Sequence, residues 1–340
     1  MLWKNMVTGV GLILLGAAVW GLSGCGQQQT DGLELLNVSY DPTRELWRDL
    51  NEKFIPAYEQ KTGQKVVIRQ SHASSGSQAR AVIDGLEADV VTLALWSDTD
   101  ALRKKGLIKD GWQEQLPNHS LAYFSTIVFV VRKGNPKGIK DWPDLVKEGV
   151  EVITPNPKTS GNGRLSFLAA WGAVRKRGGS EEAARDYVTK LYQHTPVLDN
   201  GARGSTTTFA QKKIGDVHLT WENEAYLETA ETPGELEIIY PPVSIRAEPF
   251  VAVVDANVDR KGTRAAAEEY LKFLYTDEAQ HILAKHHYRP INESVRKQYT
   301  AQLPELELFP VQTVAADWDD AQKKFFANGA IFDSIYKPSR

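Results

Sequence analysis

The sequence predicts an α/β protein built as two lobes, and three observations carry that prediction. Short apolar runs of strand composition alternate with amphipathic helical stretches along nearly the whole chain, the pattern of a mostly parallel sheet with helices on both faces. The runs outnumber what one small sheet needs. Pro-bearing segments near Pro117 to Thr126 and Pro241 to Pro249 divide them into two groups, so the chain is expected to cross twice between lobes and leave a hinge and a cleft.

In the first group, Leu33 to Tyr40 is a strand, and Asp41-Pro42 opens a helix with Asp at the cap and Pro in the first turn. Leu46, Trp47, Leu50, Phe54 and Ile55 recur at helical spacing up to Gly63. Val66 to Ile68 is a strand, Ser71 to Ser77 a small-residue loop, Gln78 to Leu86 a helix, Asp89 to Leu95 a buried strand and Asp98 to Lys105 a helix. The second group runs from a strand at Ser125 to Arg132 through Glu151 to Thr154, a long helix after Ser160 and a helix at Glu181 to Tyr192. It continues with a strand at Val197-Leu198, a helix at Thr206 to Lys213, a strand at Asp216 to Trp221, a helix at Glu222 to Glu228 and a strand at Leu236 to Tyr240. A buried strand at Glu248 to Val254 returns the chain to the first lobe, followed by helices at Thr263 to Tyr275, Asp277 to His286 and Trp318 to Phe326. The expected organisation is residues 33–120 with 248–340 as the first lobe and 121–247 as the second.

The chain has 340 residues, 24% of them charged and 42% hydrophobic, with a net charge of -3. That is ordinary for a globular protein and gives no basic surface for nucleic acid. The exception is the beginning: Lys4 precedes an apolar run from Val7 to Leu22 that ends at Leu22-Ser23-Gly24-Cys25. This reads as an export signal over residues 1–24 with small residues at a cleavage point. Cys25 is the one cysteine, so no intramolecular disulfide forms. Leu-Ser-Gly-Cys resembles a bacterial lipobox, which implies acylation of Cys25, a flexible tether over 25–32 and anchoring to a membrane surface at the outer face of the cytoplasmic membrane or in the periplasm. A plain signal peptide or a short membrane span with an incidental cysteine is the competing reading.

Ligands of open α/β sheets bind beyond the carboxyl ends of the strands, and the residues at those ends are uniform in kind here. Asp41 stands at a helix start, Ser74-Ser75-Gly76 comes after the second strand, Ser160-Gly161 opens the long helix, Gly201 to Ser205 precedes another, and Trp221 ends a strand. These supply hydroxyls, accessible amides and one indole N–H. Helix starts carry unpaired N–H groups and the positive end of the macrodipole. Each alone is more often a cap or a core aromatic; together they propose a donor-only site for an anion without a proton. Glu222 and Glu224 flank Trp221 and are expected to point away as a solvated helix start. A Ser75–His72 hydrolase lacks an acidic partner. His281, His286 and His287 do not share a face, so no metal site is expected, and no Walker loop or dinucleotide fingerprint is present.

The segments Asn37 to Leu46, Val67 to His72, Ala88 to Leu95, Val131 to Lys137, Val152 to Lys158, Gly201 to Thr206 and Trp221 to Glu224 together resemble the bacterial sulfate-binding proteins that feed sulfate/thiosulfate ABC importers. The resemblance runs from about Leu33 to Phe332. It implies a type II periplasmic-binding-protein fold, a monomer without cofactor or catalysis, and delivery of the anion to permease subunits. It also implies a sulfate dianion held in the closed cleft by neutral donors. These are the N–H of Asp41, the hydroxyl of Ser75, the hydroxyl and N–H of Ser160, the N–H groups of Gly161, Asn162 and Ala202, and the indole of Trp221. Thiosulfate is the nearest alternative ligand. Two departures stand out: Asn162 where Gly is usual, and Ala73-Ser74 where Gly-Gly is common. Arg44, Arg164 and Arg203 are expected to brace the binding loops from behind.

Overall fold

β1 (Leu33–Tyr40) is the spine of the first sheet: it runs parallel to β2 (Val66–Ala73) along its whole length and to β3 (Val90–Leu93) over Asn37 to Ser39. The computed structural model describes residues 32–336; the expected signal segment, Cys25, nearly all of the tether and Lys337 to Arg340 lie outside the described residues. Between β1 and β2 runs α1 (Arg44–Thr62), which buries Leu46, Trp47, Leu50, Phe54 and Tyr58, a stripe at helical spacing. It ends where Gly63 takes a left-handed φ of 70° and returns its N–H to Glu59 O. α2 (Ser75–Ile83) and α3 (Trp96–Lys104) come after β2 and β3.

The second sheet holds β4 (Ile127–Arg132), β5 (Val152–Ile153), β6 (Val217–Trp221) and β7 (Leu236–Ile239). Its helices include α4 (Gly161–Lys176), α5 (Glu181–Gln193), α6 (Ala202–Thr206) and α7 (Glu222–Glu231). After β8 (Val243–Ile245) the chain returns to the first sheet as β9 (Phe250–Val253). The orders are β9-β3-β1-β2 and β5-β6-β4-β7, and each sheet with its helices forms a lobe. The two-sheet α/β class is the one the sequence predicts.

Three details differ. β9 runs antiparallel to β3, and β4 runs antiparallel to both its neighbours. These two strands reach their sheets through the crossings, with no crossover helix to turn the chain back into parallel register. In the second sheet, therefore, β5 and β6 are the one parallel pair among the described residues. Val197-Leu198 forms no strand. Finally, the chain passes between the lobes a third time. β10 (Glu307–Phe309) pairs with β8, and Phe325, Phe326 and Phe332 pack around Phe167 at 5.5, 5.3 and 6.1 Å between ring centres. The cause lies in α4, which is buried on every face from Gly161 to Ala173. A helix apolar all round needs cover on two sides, and the C-terminal segment supplies the second. Gly172 admits it, since a Cβ there would stand 2.1 Å from Phe309 Cζ.

The first crossing is strained. Asn118, His119 and Ser120 hold φ of 52°, 55° and 61°, a left-handed turn that costs non-glycine residues roughly 1–2 kcal/mol each. The Ser120 hydroxyl on Trp112 O and Gln113 O, and the Asn118 amide on Leu121 O, hold it in place.

Candidate functional site

Ser160 caps α4: its backbone is extended and its Oγ accepts the N–H of Gly163 at 3.3 Å. That leaves the hydroxyl proton of Ser160 and the N–H groups of Gly161 and Asn162 without an intrahelical partner. The preceding loop is tied to the loop before α6 by Asn156 N–H on Asp199 O at 2.8 Å and the Thr159 hydroxyl on Asn200 O at 2.9 Å. Those two bonds bring the starts of α4 and α6 together. Trp221 ends β6 fully buried, its ring 5.3 Å from that of Tyr40 at the end of β1.

Across the cleft, Asp41 directly succeeds β1 and Ser75 opens α2. Glycines set how closely the lobes meet. A Cβ on Gly161 would lie 2.4 Å from Ala94 Cβ, and one on Gly201 would lie 2.8 Å from Asp41 Oδ2. The cleft is closed, with Tyr40, Ala94 and Leu95 of the first lobe joined to the apolar core of the second.

All seven positions singled out by the sequence, Asp41, Ser75, Ser160, Gly161, Asn162, Ala202 and Trp221, line one small cavity, whose wall Tyr40, Pro42, Ser74 and Ala94 complete. Among the described residues no lysine, arginine or histidine lines it. The Asp41 carboxyl is raised by burial, against the opposing charges of Arg44 and Arg203. The Asn162 side chain is tied within its own lobe, its Oδ1 accepting the Ser166 hydroxyl at 3.0 Å and its amide nitrogen 3.5 Å from Thr220 Oγ1.

Arg164 and Arg203 make two of the ion pairs that join the lobes. Arg164 on α4 gives NH1 and NH2 to the two oxygens of Asp98 on α3, at 2.8 Å each. Asp98 Oδ2 also accepts the Ser75 hydroxyl at 2.5 Å, and Ser75 Oγ accepts the Ala94 N–H at 3.0 Å. Arg203 on α6 reaches Glu45 of α1 and Glu224 of α7, both at 2.7 Å. Arg164 and Arg203 thus stand where bracing is expected of them, whereas Arg44 only pairs at 3.3 Å with Asp41 in its own lobe. Asp98, Glu45 and Tyr40 escape the sequence reading. Asp98 sits in the first turn of a helix, where an acidic residue is unremarkable, and its partner is 66 residues away.

One expectation is corrected. Glu222 and Glu224 do turn from the cavity, but they are buried and paired rather than solvated: Glu222 holds Arg289 at 2.7 and 2.8 Å, and Glu224 holds Arg203. Burial raises both carboxyls, Glu224 to about 7. Ser75 and His72 make no dyad. The two His72 ring nitrogens are taken by Ser39 Oγ and Gln70 Oε1, burial pushes the ring down to about 4, and Ser75 turns to Asp98. His281, His286 and His287 pair with Tyr299, Asp49 and the Tyr226 ring, and no group of acidic, histidine or cysteine side chains among the described residues gathers to hold a metal.

Two α/β lobes close over this small cavity, and the family described as bacterial extracellular solute-binding protein matches residues 47–289, so the chain is a solute-binding protein. Within that class the chain belongs to the family of the sulfate- and thiosulfate-binding proteins. It is 51% identical to the sulfate-binding protein of Escherichia coli K12 over 97% of this chain and 98% of that one. It is 47% identical to the thiosulfate-binding protein of Pseudomonas aeruginosa over 96% and 98%. Its fold is similar to that of the sulfate-binding protein SubI from Mycobacterium tuberculosis H37Rv, with a TM-score of 0.78 and 30% identity, over 86% of this chain and 99% of the other. The family is extracytoplasmic and serves as the substrate-binding component of transport. Among the described residues no helix is long and apolar enough to cross a membrane.

Proposed function

We propose that the protein binds the sulfate dianion in the interlobe cavity, without catalysing a reaction, and delivers it to an ABC importer. The observation that carries the reading is the cavity wall: the seven positions meet from both lobes around one small cavity, with no basic side chain among the described lining residues. The donors are the N–H groups of Asp41, Ser160, Gly161, Asn162 and Ala202, the hydroxyls of Ser75 and Ser160, and the Trp221 indole. Sulfate carries no proton at neutral pH, so every contact it needs is a donor. Hydrogen phosphate brings an O–H that a donor-only wall leaves unpaired, at roughly 1–3 kcal/mol. Helix starts and peptide dipoles spread the stabilisation without a buried counter-cation. The thiosulfate-binding relatives keep thiosulfate, of equal charge and similar shape, as the second reading.

The lobes move as units of residues 33–120 with 248–299 and 121–247 with 307–336, opening at the crossings to admit the anion, and the closed form is what the permease reads. Acylated Cys25 holds this monomer at a membrane surface. Titration calorimetry of protein stripped of anion tests the site. Sulfate and thiosulfate are expected to bind with one anion per chain, and Trp221→Phe and Ser160→Ala each to weaken binding by about tenfold, one hydrogen bond to a charged group. Unchanged affinity in both variants contradicts the assignment. Mass spectrometry of the membrane fraction tests the anchor, which fails if Cys25 carries no lipid.

A further inference from the structure

We propose that the Asp98–Arg164 ion pair sets which way the Ser75 hydroxyl points, and so decides whether the cavity rejects oxyanions that carry a proton. The inference rests on the sulfate reading above.

Ser75 has one proton and two claimants. Its Oγ accepts the Ala94 N–H at 3.0 Å and donates to Asp98 Oδ2 at 2.5 Å. In that orientation it offers the cavity a lone pair, which is what the O–H of hydrogen phosphate needs and what sulfate cannot use. The wall is donor-only when the proton turns to the anion. Turning it removes one donor from Asp98, a nearly buried carboxylate whose side-chain donors, among the described residues, are Ser75 and Arg164. Arg164 covers the loss, because NH1 serves Oδ1 and NH2 serves Oδ2, so each oxygen keeps a partner after Ser75 leaves. Without Arg164 the buried carboxylate would keep the Ser75 proton as its remaining partner, since a buried charge stripped of donors is the costlier state.

The two side chains come from opposite lobes, Asp98 from α3 and Arg164 from α4. Arg164 therefore leaves the hydroxyl free to turn from Asp98 to a bound anion only when the lobes meet, and the cavity becomes selective as it closes on that anion. Arg164 and Asp98 are positioning residues, acting on the anion through Ser75.

The test titrates Arg164→Met with sulfate and with phosphate beside the unaltered protein. Sulfate affinity is expected to fall by about tenfold or more, the scale of one charge-assisted hydrogen bond. Phosphate binding is expected to become measurable, so the sulfate-to-phosphate ratio falls further than sulfate affinity does. Arg164→Lys, which keeps the charge but not the fork that serves both carboxylate oxygens, should lie between. Ser75→Ala should lose sulfate affinity and gain no phosphate. The double variant Asp98→Asn with Arg164→Met removes the buried charge as well as its partner, folds without an orphaned ion, and should recover the preference for sulfate because an amide oxygen competes weakly for the proton. An unchanged ratio in Arg164→Met, a phosphate gain in Ser75→Ala, or a double variant that takes both anions equally overturns the inference. Failure of the unaltered protein to bind sulfate would instead remove the functional reading beneath it.

Discussion

The Arg164–Asp98 and Arg203–Glu45 ion pairs both span the cleft, use the same chemistry and stand in different surroundings. Arg164 and Asp98 leave only 6% and 9% of their side chains exposed, and each oxygen of the carboxylate meets one guanidinium nitrogen. Arg203 and Glu45 are about three-tenths exposed, and Arg203 divides itself between Glu45 and the buried Glu224. Burial and Arg203 act against each other on both carboxylates. At Glu45 burial is outweighed by the hydrogen bond and charge of Arg203, and the pKa is lowered. At Glu224 burial wins and holds the carboxyl near 7. A cross-cleft pair therefore has the energetic weight its burial gives it. The dry pair next to Ser75 can govern a hydroxyl, while the wetter one is screened.

Deleting the acid of each pair and measuring stability by chemical denaturation should separate the two most strongly. Asp98→Ala leaves the Arg164 guanidinium buried with Gln322 as its remaining side-chain partner and should cost roughly 3–5 kcal/mol. Glu45→Ala leaves Arg203 with Glu224 and should cost under about 1 kcal/mol. Equal losses would show that burial does not distinguish the pairs.

A second contrast lies in pH. The folded protein holds a proton on Glu224 up to about 7, whereas the unfolded carboxyl releases it near 4.5. Stability from that proton is complete at the acid end and is lost as pH rises from 4.5 to 7, on the order of 3 kcal/mol across the window. His72 works in the opposite sense. Burial holds it down near 4 against its usual 6.5, so its contribution is lost as pH falls through that range. The readout is accordingly the difference between the stability curves of the unaltered protein and Glu224→Gln, which should grow between those limits. A difference that is flat with pH would mean that Glu224 is ionised throughout. The smallest effect is expected from Arg203→Met on selectivity: sulfate affinity falls by about threefold or less, in keeping with a screened pair, and the sulfate-to-phosphate ratio stays unchanged. A ratio that moved as in Arg164→Met would erase the distinction between the two pairs.

Local signals made much of this readable. Ser160 before Gly161 announces a helix start because a cap and a small residue are local requirements, and Asp41-Pro42 does the same for the helix after β1. Trp221 at a strand end places a donor where the sheet's ligand edge must be. What escaped depends on pairings across long separations. Nothing near Asp98 in the chain points to Arg164, and Glu224 looks like an exposed helix start until Arg203 and the first lobe cover it. The third passage between lobes escaped for a related reason. The all-round apolar character of α4 signals a second cover but not that the segment from Glu307 onward provides it. The antiparallel β4 and β9 arise from the crossings themselves, so a rule for strands joined within one sheet did not reach them.

A pair of calorimetric titrations of the anion-free protein at neutral pH, one with sulfate and one with phosphate, decides whether the wall is donor-only. A cavity that offers only donors should bind sulfate tightly and give no heat of binding with phosphate. Phosphate binding as strong as sulfate binding would contradict it, because an acceptor would then be facing the anion.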